Sequence, residues 1–75
     1  MEKYNGWANR STWAVHLWIT NEYWTYQVSR RNKFNAEQLE LWFTTICKEL
    51  PLMREDCEPL DEVDWKEVSE ALLED

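Results

Sequence analysis

The side chains suited to chemistry are few in this 75-residue chain: one histidine, His16, two cysteines, Cys47 and Cys57, and fifteen carboxylates against eight Lys and Arg. General acid–base catalysis needs a positioned donor and acceptor, and no His–carboxylate or Cys–His pairing is legible. His16 lies inside the run Ser11 to Asn21, which holds no Lys, Arg, Asp or Glu, so packing is its expected role. Two cysteines are too few for a disulfide framework and lack metal-ligand spacing. Both are expected as free thiols, with Cys47 a small core residue on a helix. One glycine, Gly6, is not enough for a phosphate-cradling loop. Asp56, Glu58, Asp61, Glu62 and Asp64 lack the central Gly that a calcium loop requires. The expectation is therefore no enzyme, and no catalytic, cofactor or metal site.

What remains is charge and aromatic surface. Residues 1–47 carry five basic and four acidic side chains, whereas residues 48–75 carry three basic and eleven acidic ones within a net charge of −7. A field of that sign repels phosphates and suits a basic partner. Glu55, Asp56, Glu58, Asp61 and Glu62 are the candidate contacts, unless they serve only as a solvated face. Affinity at interfaces usually comes from buried aromatic anchors, and Trp24 and Trp65 are the candidates for that. The alternative is a nucleic-acid contact through Arg30, Arg31 and Lys33, the only basic cluster, helped by aromatic stacking.

The elements that must hold these residues are mostly helical. Asn5 to Ile19 reads as the organising centre: it contains the sole glycine and three of the six tryptophans. Asn5-Gly6 is a turn dipeptide that brings Tyr4 and Trp7 back onto the next element. Trp13, Val15, Leu17 and Ile19 alternate as a strand would, but Ala14, His16 and Trp18 would make a poor outer face. A buried helix is favoured, capped by Asn9 or Ser11 and breaking at Asn21. Asn21 to Arg31 continues helically with Tyr23, Trp24, Gln27 and Val28 on one face. Arg31 to Phe34 reads as a loop.

Asn35 and Gln38 form a capping box ahead of Leu39, Trp42, Phe43, Ile46, Cys47 and Leu50 at helical spacing, and Pro51 is expected to end that helix. Leu52 to Leu60 reads as an irregular acidic loop with Leu52, Met53 and Leu60 tucked inward. Asp64 and Glu67 form a second capping box, and Val63 with Val68 a hydrophobic staple. Trp65, Val68 and Leu72 should then face inward. The expected fold is all-α: a single domain over 1–75, a bundle of three or four helices with a Trp-rich core.

Asn5-Gly6-Trp7, Asn9-Arg10, Thr12-Trp13 and Leu17-Trp18-Ile19, with Val63-Asp64-Trp65-Lys66-Glu67-Val68 near the other end, resemble a family of small proteins encoded by bacteriophages, plasmids and some bacterial genomes. The likeness covers roughly the first twenty residues and the last dozen. Ser11 departs from it, standing where many of those proteins carry an acid. The resemblance implies a mobile-element origin and supplies no catalytic residues.

The N-terminus MEKYNGW does not read as a secretory signal, and the apolar run Trp13 to Ile19 is far short of the ~20 residues of a spanning helix. A cytoplasmic setting without membrane contact is expected. Taken with the acidic half, the expected role is a non-enzymatic inhibitor of a host defence nuclease, an anti-CRISPR or anti-restriction protein that mimics nucleic acid. The alternatives are an accessory protein binding nucleic acid through Arg30, Arg31 and Lys33, or an assembly protein that dimerises through apolar surface.

Overall fold

The structure is a computed structural model that describes residues 4–74; what was expected of residues 1–3 and 75 lies outside them. The described chain is all-α, with five helices and one 3-10 turn: α1 Arg10–Asn21, α2 Tyr23–Asn32, α3 Ala36–Cys47, α4 Pro51–Cys57, the turn Leu60–Glu62, and α5 Trp65–Glu74. The class is the expected one, but the count exceeds three or four because α4 occupies the segment read as a loop.

Tyr4 and Trp7 exchange two backbone hydrogen bonds of 2.8 Å. The turn between them holds Asn5 at φ 48° and Gly6 at φ 87°, the left-handed region that Asn and Gly tolerate best. The turn lays Tyr4 against Trp13, with ring centroids 5.0 Å apart, and Trp7 against His16 at 4.5 Å.

Helix α1 is the hub, packing on α2, α4, α5 and the 3-10 turn. Asn9 caps it: its Oδ1 accepts from the Thr12 N–H at 2.9 Å and from Thr12 Oγ1 at 2.8 Å. Ser11, Thr12, Ala14, Val15 and Ile19 are buried. The expected all-round burial does not occur, since Trp13, His16, Leu17 and Trp18 are only half-buried.

The chain breaks at Glu22, which is extended, and restarts as α2. Thr25 Oγ1 makes that joint, donating to the carbonyls of Ile19 at 2.8 Å and Glu22 at 2.9 Å. Only Thr25 and Ser29 of α2 are buried. The face carrying Tyr23, Trp24 and Gln27 is turned outward, with Tyr23 77% exposed. Helical spacing identified that face without saying which side met the core. Helix α2 runs on to Asn32 before Lys33 closes it in the left-handed conformation at φ 49°, its N–H bonded to the Ser29 carbonyl at 3.0 Å. The expected loop is thus a single cap, followed by Phe34 stacked on Trp42 at 5.1 Å.

Helix α3 has its capping box, with the Asn35 and Gln38 side chains each bonding the other's backbone N–H at 2.9 and 3.1 Å. It buries Leu39, Phe43 and Cys47. Pro51 does not close α3, which ends at Cys47; it opens α4. Proline suits a first helical position because its fixed φ is helical and its missing N–H would be unbonded there anyway. Met53 and Cys57 point inward from α4, whereas Leu52, expected inside, is 77% exposed.

In α5, Trp65 packs on Phe43 at 5.8 Å beside buried Val63, Val68 and Leu72. Its capping box is half formed. Asp64 Oδ1 accepts from the Glu67 N–H at 3.1 Å, but Glu67 Oε1 accepts from the Ala8 N–H at 2.9 Å instead of turning back. Asp64 in turn donates its N–H to Thr12 Oγ1 at 2.9 Å, and Asn9 Nδ2 donates to the Glu62 carbonyl at 2.8 Å. The two ends of the chain are therefore stitched together. Among the tryptophans only Trp65 is buried; Trp13, Trp18 and Trp42 flank a core built on Val15, Ile19, Leu39, Phe43, Met53 and Val68.

Candidate functional site

The contact between α1 and α4 is organised by one carboxylate. Asp56 Oδ2 accepts from the Trp18 indole N–H at 2.8 Å, and Oδ1 accepts from the Arg10 guanidinium at 3.0 Å. A second Arg10 N–H reaches the Asp56 backbone carbonyl at 2.7 Å. The indole N–H, and after it the guanidinium, hold the Asp56 carboxyl below the usual carboxylate range. Hydrogen bonds to the charged form favour that form. Asp56 is thus a joint of the fold rather than a free surface charge.

With its nitrogen held, the Trp18 ring stands as a fixed wall between two open clefts. One, of about 320 Å³, is lined chiefly by Trp18, Trp24, Leu50, Pro51, Leu52 and Met53. The other, of about 310 Å³, is lined by Leu17, Trp18, Asn21, Glu22 and Asp56. Trp18 and Glu22 belong to both, and neither contains Lys or Arg. Trp24, Leu50 and Leu52 at the mouth of the first are 47%, 40% and 77% exposed. The groove lies where the chain breaks at Glu22 and restarts at Pro51, and both residues line it.

Of the expected acidic contacts only Asp56 lines either cleft. Glu55 projects from α4, Glu58 from the cap at its carboxyl end, and Asp61 and Glu62 from the 3-10 turn, all exposed. Glu58 makes a loose 3.6 Å pair with Arg54, while Glu55, Asp61 and Glu62 have no ion pair among the described residues. The two aromatic anchors fare differently. Trp24 stands at the groove. Trp65, 9% exposed, is a core residue: its position just after the α5 cap puts it over Phe43, so it is not an anchor. Leu50, Pro51 and Leu52 were missed as groove residues: Leu50 fell on the helical period of α3 and Leu52 in the segment read as a loop, so only the proline between them marked the place.

Arg30, Arg31 and Lys33 cluster at the exposed carboxyl end of α2, where cations offset the helix dipole. The Arg30 guanidinium lies 5.8 Å from the Tyr26 ring. Arg31 shares a shallow depression of about 400 Å³ with Tyr23, Trp24, Gln27, Val28 and Asn32.

His16 is taken up by its contact with Trp7. Burial pushes the Cys47 thiol up to about 11 and the Cys57 thiol up to about 12, so neither is a thiolate nucleophile near neutral pH. No group of three or more His, Cys, Asp or Glu among the described residues is placed to hold a metal ion.

A family model matches residues 1–74. The chain belongs to the DUF7249 family. That is a family of unknown function, so membership assigns no activity to the groove. No curated protein and no solved structure matches this DUF7249 chain. No described helix is long and apolar enough to cross a membrane.

Proposed function

We propose that this DUF7249 protein is a non-enzymatic, mobile-element inhibitor that acts in the host cytoplasm by binding a basic surface of a defence nuclease, anti-CRISPR or anti-restriction in effect. The observation that carries this reading is the exposed acidic stretch of Glu55, Glu58, Asp61 and Glu62 on α4 and the turn after it, in a chain whose α1–α4 groove has apolar side chains at its mouth. Duplex DNA presents one negative charge per ~1.7 Å of axis, and a dense carboxylate face competes for the same Lys and Arg groups. Charge steers such encounters while apolar anchors hold them; Trp24 is the anchor at hand.

The test is capture of the tagged protein's target from host lysate at about 50 mM and about 300 mM salt, followed by assay of the captured nuclease. A Lys-substituted variant at Glu55, Glu58, Asp61 and Glu62 should fold normally and lose inhibition. Asp56 is left unchanged, because it bonds α1. Full inhibition by the variant refutes mimicry, and capture of no nucleic-acid enzyme refutes the reading as a whole.

A second reading rests on the outward face of α2, where Tyr23, Trp24 and Arg31 lie together. Aromatic and cationic side chains in one depression suit stacked single-stranded bases, at about 1–3 kcal/mol per base. Fluorescence anisotropy with a labelled single-stranded oligonucleotide at about 50 mM salt decides it: no binding there removes the nucleic-acid role. The same Trp24 and Leu52 patch is what a dimerising assembly protein would use, and sedimentation reports that directly.

A further inference from the structure

The two clefts on either side of Trp18 differ in chemistry and share a wall. One is apolar, and its volume of about 320 Å³ lies at the small end of ligand pockets. That space suits one or two large side chains better than an extended cofactor. The other opens onto two carboxylates, Glu22 and Asp56. Both Asp56 oxygens already have donors in Trp18 and Arg10. Glu22 lends its backbone carbonyl to Thr25, while its exposed side chain makes no ion pair among the described residues. A cation entering the second cleft therefore meets a carboxylate with open acceptor sites. The dividing ring is held by its hydrogen bond to Asp56, so the arrangement exists before anything binds. Such preorganisation lowers the cost of association.

We propose that the paired clefts form a docking site for a basic segment of another protein, which inserts a large aliphatic or aromatic side chain beside Trp24 and Leu52 and sets a neighbouring Lys or Arg against Glu22. This deepens the reading above, and rests on it, in that the protein's role is to bind a protein partner. Charge complementarity selects the occupant: the clefts are lined by two carboxylates and by no Lys or Arg. Although Arg10 offsets Asp56 and Arg54 offsets Glu58, Glu22 and the exposed Glu55 of α4 have no ion pair among the described residues. A second copy of this chain, at net charge −7, would bring like charge to the same place.

Three short synthetic peptides test the idea: one with leucines on a helical face and Lys and Arg elsewhere, one with Glu replacing every Lys and Arg, and one with Ser replacing every Leu. Indole N–H signals of the isotopically labelled protein report where each binds. The basic leucine peptide should shift the Trp18 and Trp24 indoles. Its affinity should fall about tenfold in Leu52→Ser or Trp24→Ala, as for a buried anchor, and by several-fold in Glu22→Gln. Leu52, Trp24 and Glu22 are exposed, so these variants keep the fold, which circular dichroism checks.

Equal binding of the acidic peptide, equal binding of the serine peptide, or shifts that spare both indoles would overturn the proposal. So would a dimer in sedimentation that Leu52→Ser dissociates, because the occupant would then be a second copy. Peptide binding in the groove alongside full inhibition by the four-lysine variant would remove mimicry and leave this docking site standing. Loss of inhibition in that variant with no peptide bound would do the reverse.

Discussion

Replacing Asp56 with Ala should be far more damaging than a change at a half-exposed carboxylate ordinarily is. The substitution removes the Trp18 bond at 2.8 Å and the Arg10 side-chain bond at 3.0 Å, while Arg10 keeps its 2.7 Å bond to the backbone carbonyl. Hydrogen bonds to charged groups contribute about 1.5–3 kcal/mol each and exposed ion pairs about 0–1 kcal/mol. The Arg10 and Asp56 side chains are 49% and 41% exposed, so the Arg10 contribution belongs at the bottom of its range and the indole bond dominates. The expected loss is about 2 kcal/mol, which in a domain of this size lowers Tm by roughly 8–16 °C.

Urea and thermal unfolding followed by circular dichroism measure the loss. A double-mutant cycle with Trp18→Phe should return a coupling of about 1.5–2 kcal/mol, most of the loss, because Phe lacks the N–H. The pH dependence has a definite sign. The folded Asp56 carboxyl titrates below its unfolded value, so its stabilisation is present above about pH 4 and fades as pH falls through the folded value. The gap between wild type and Asp56→Ala should accordingly be full at neutral pH and narrow in acid. A loss under about 0.5 kcal/mol, the range of an ordinary surface change, or a gap that does not narrow in acid would refute the reasoning.

Thr12→Val keeps the shape of a fully buried side chain but strips the acceptor from the Asp64 N–H. It should cost about 1–3 kcal/mol in urea unfolding. Gly6→Ala meets no atom within 4 Å, so only backbone strain at φ 87° opposes it; a loss of about 1 kcal/mol is expected, and no loss would show that the turn is not held. Cys47 and Cys57, both buried and with thiols raised to about 11 and 12, should resist a thiol reagent at neutral pH in the folded protein and react promptly in urea. Prompt reaction without urea would contradict their burial.

Local polar signals were the legible part of this fold. Asn35 with Gln38 and Asn5 with Gly6 each specify a backbone geometry within a few residues, and each forms as its spacing predicts. Of the two caps left open for α1, Asn9 is the one used, and Ser11 lies buried within the helix. What sequence left open depends on which side of an element meets the core. The period of α2 revealed a face, yet the buried pair is Thr25 and Ser29, chosen by hydrogen bonds to Ile19, Glu22 and Tyr26 that no hydropathy pattern encodes. Pro51 was ambiguous for a related reason: proline is found both after one helix and at the first position of the next. The groove was illegible because it is made by those two ambiguous places.

Several of the residues that carry the resemblance, Asn9, Thr12, Asp64 and Glu67 among them, join two segments of the chain far apart in sequence. Ala8, Asn9 and Thr12 near one end bond Glu67, Glu62 and Asp64 near the other, and Gly6 supplies the turn that lays Tyr4 and Trp7 on α1. Hydrogen-bonding side chains at fixed spacing in both segments are what such a stitch requires. The stitch also explains the half-formed cap of α5, since Glu67 holds Ala8 instead of closing its own helix. The proposed docking groove between the Glu22 break and Pro51 draws instead on side chains outside the stitch, and of its apolar residues only Leu17 and Trp18 are among those that carry the resemblance.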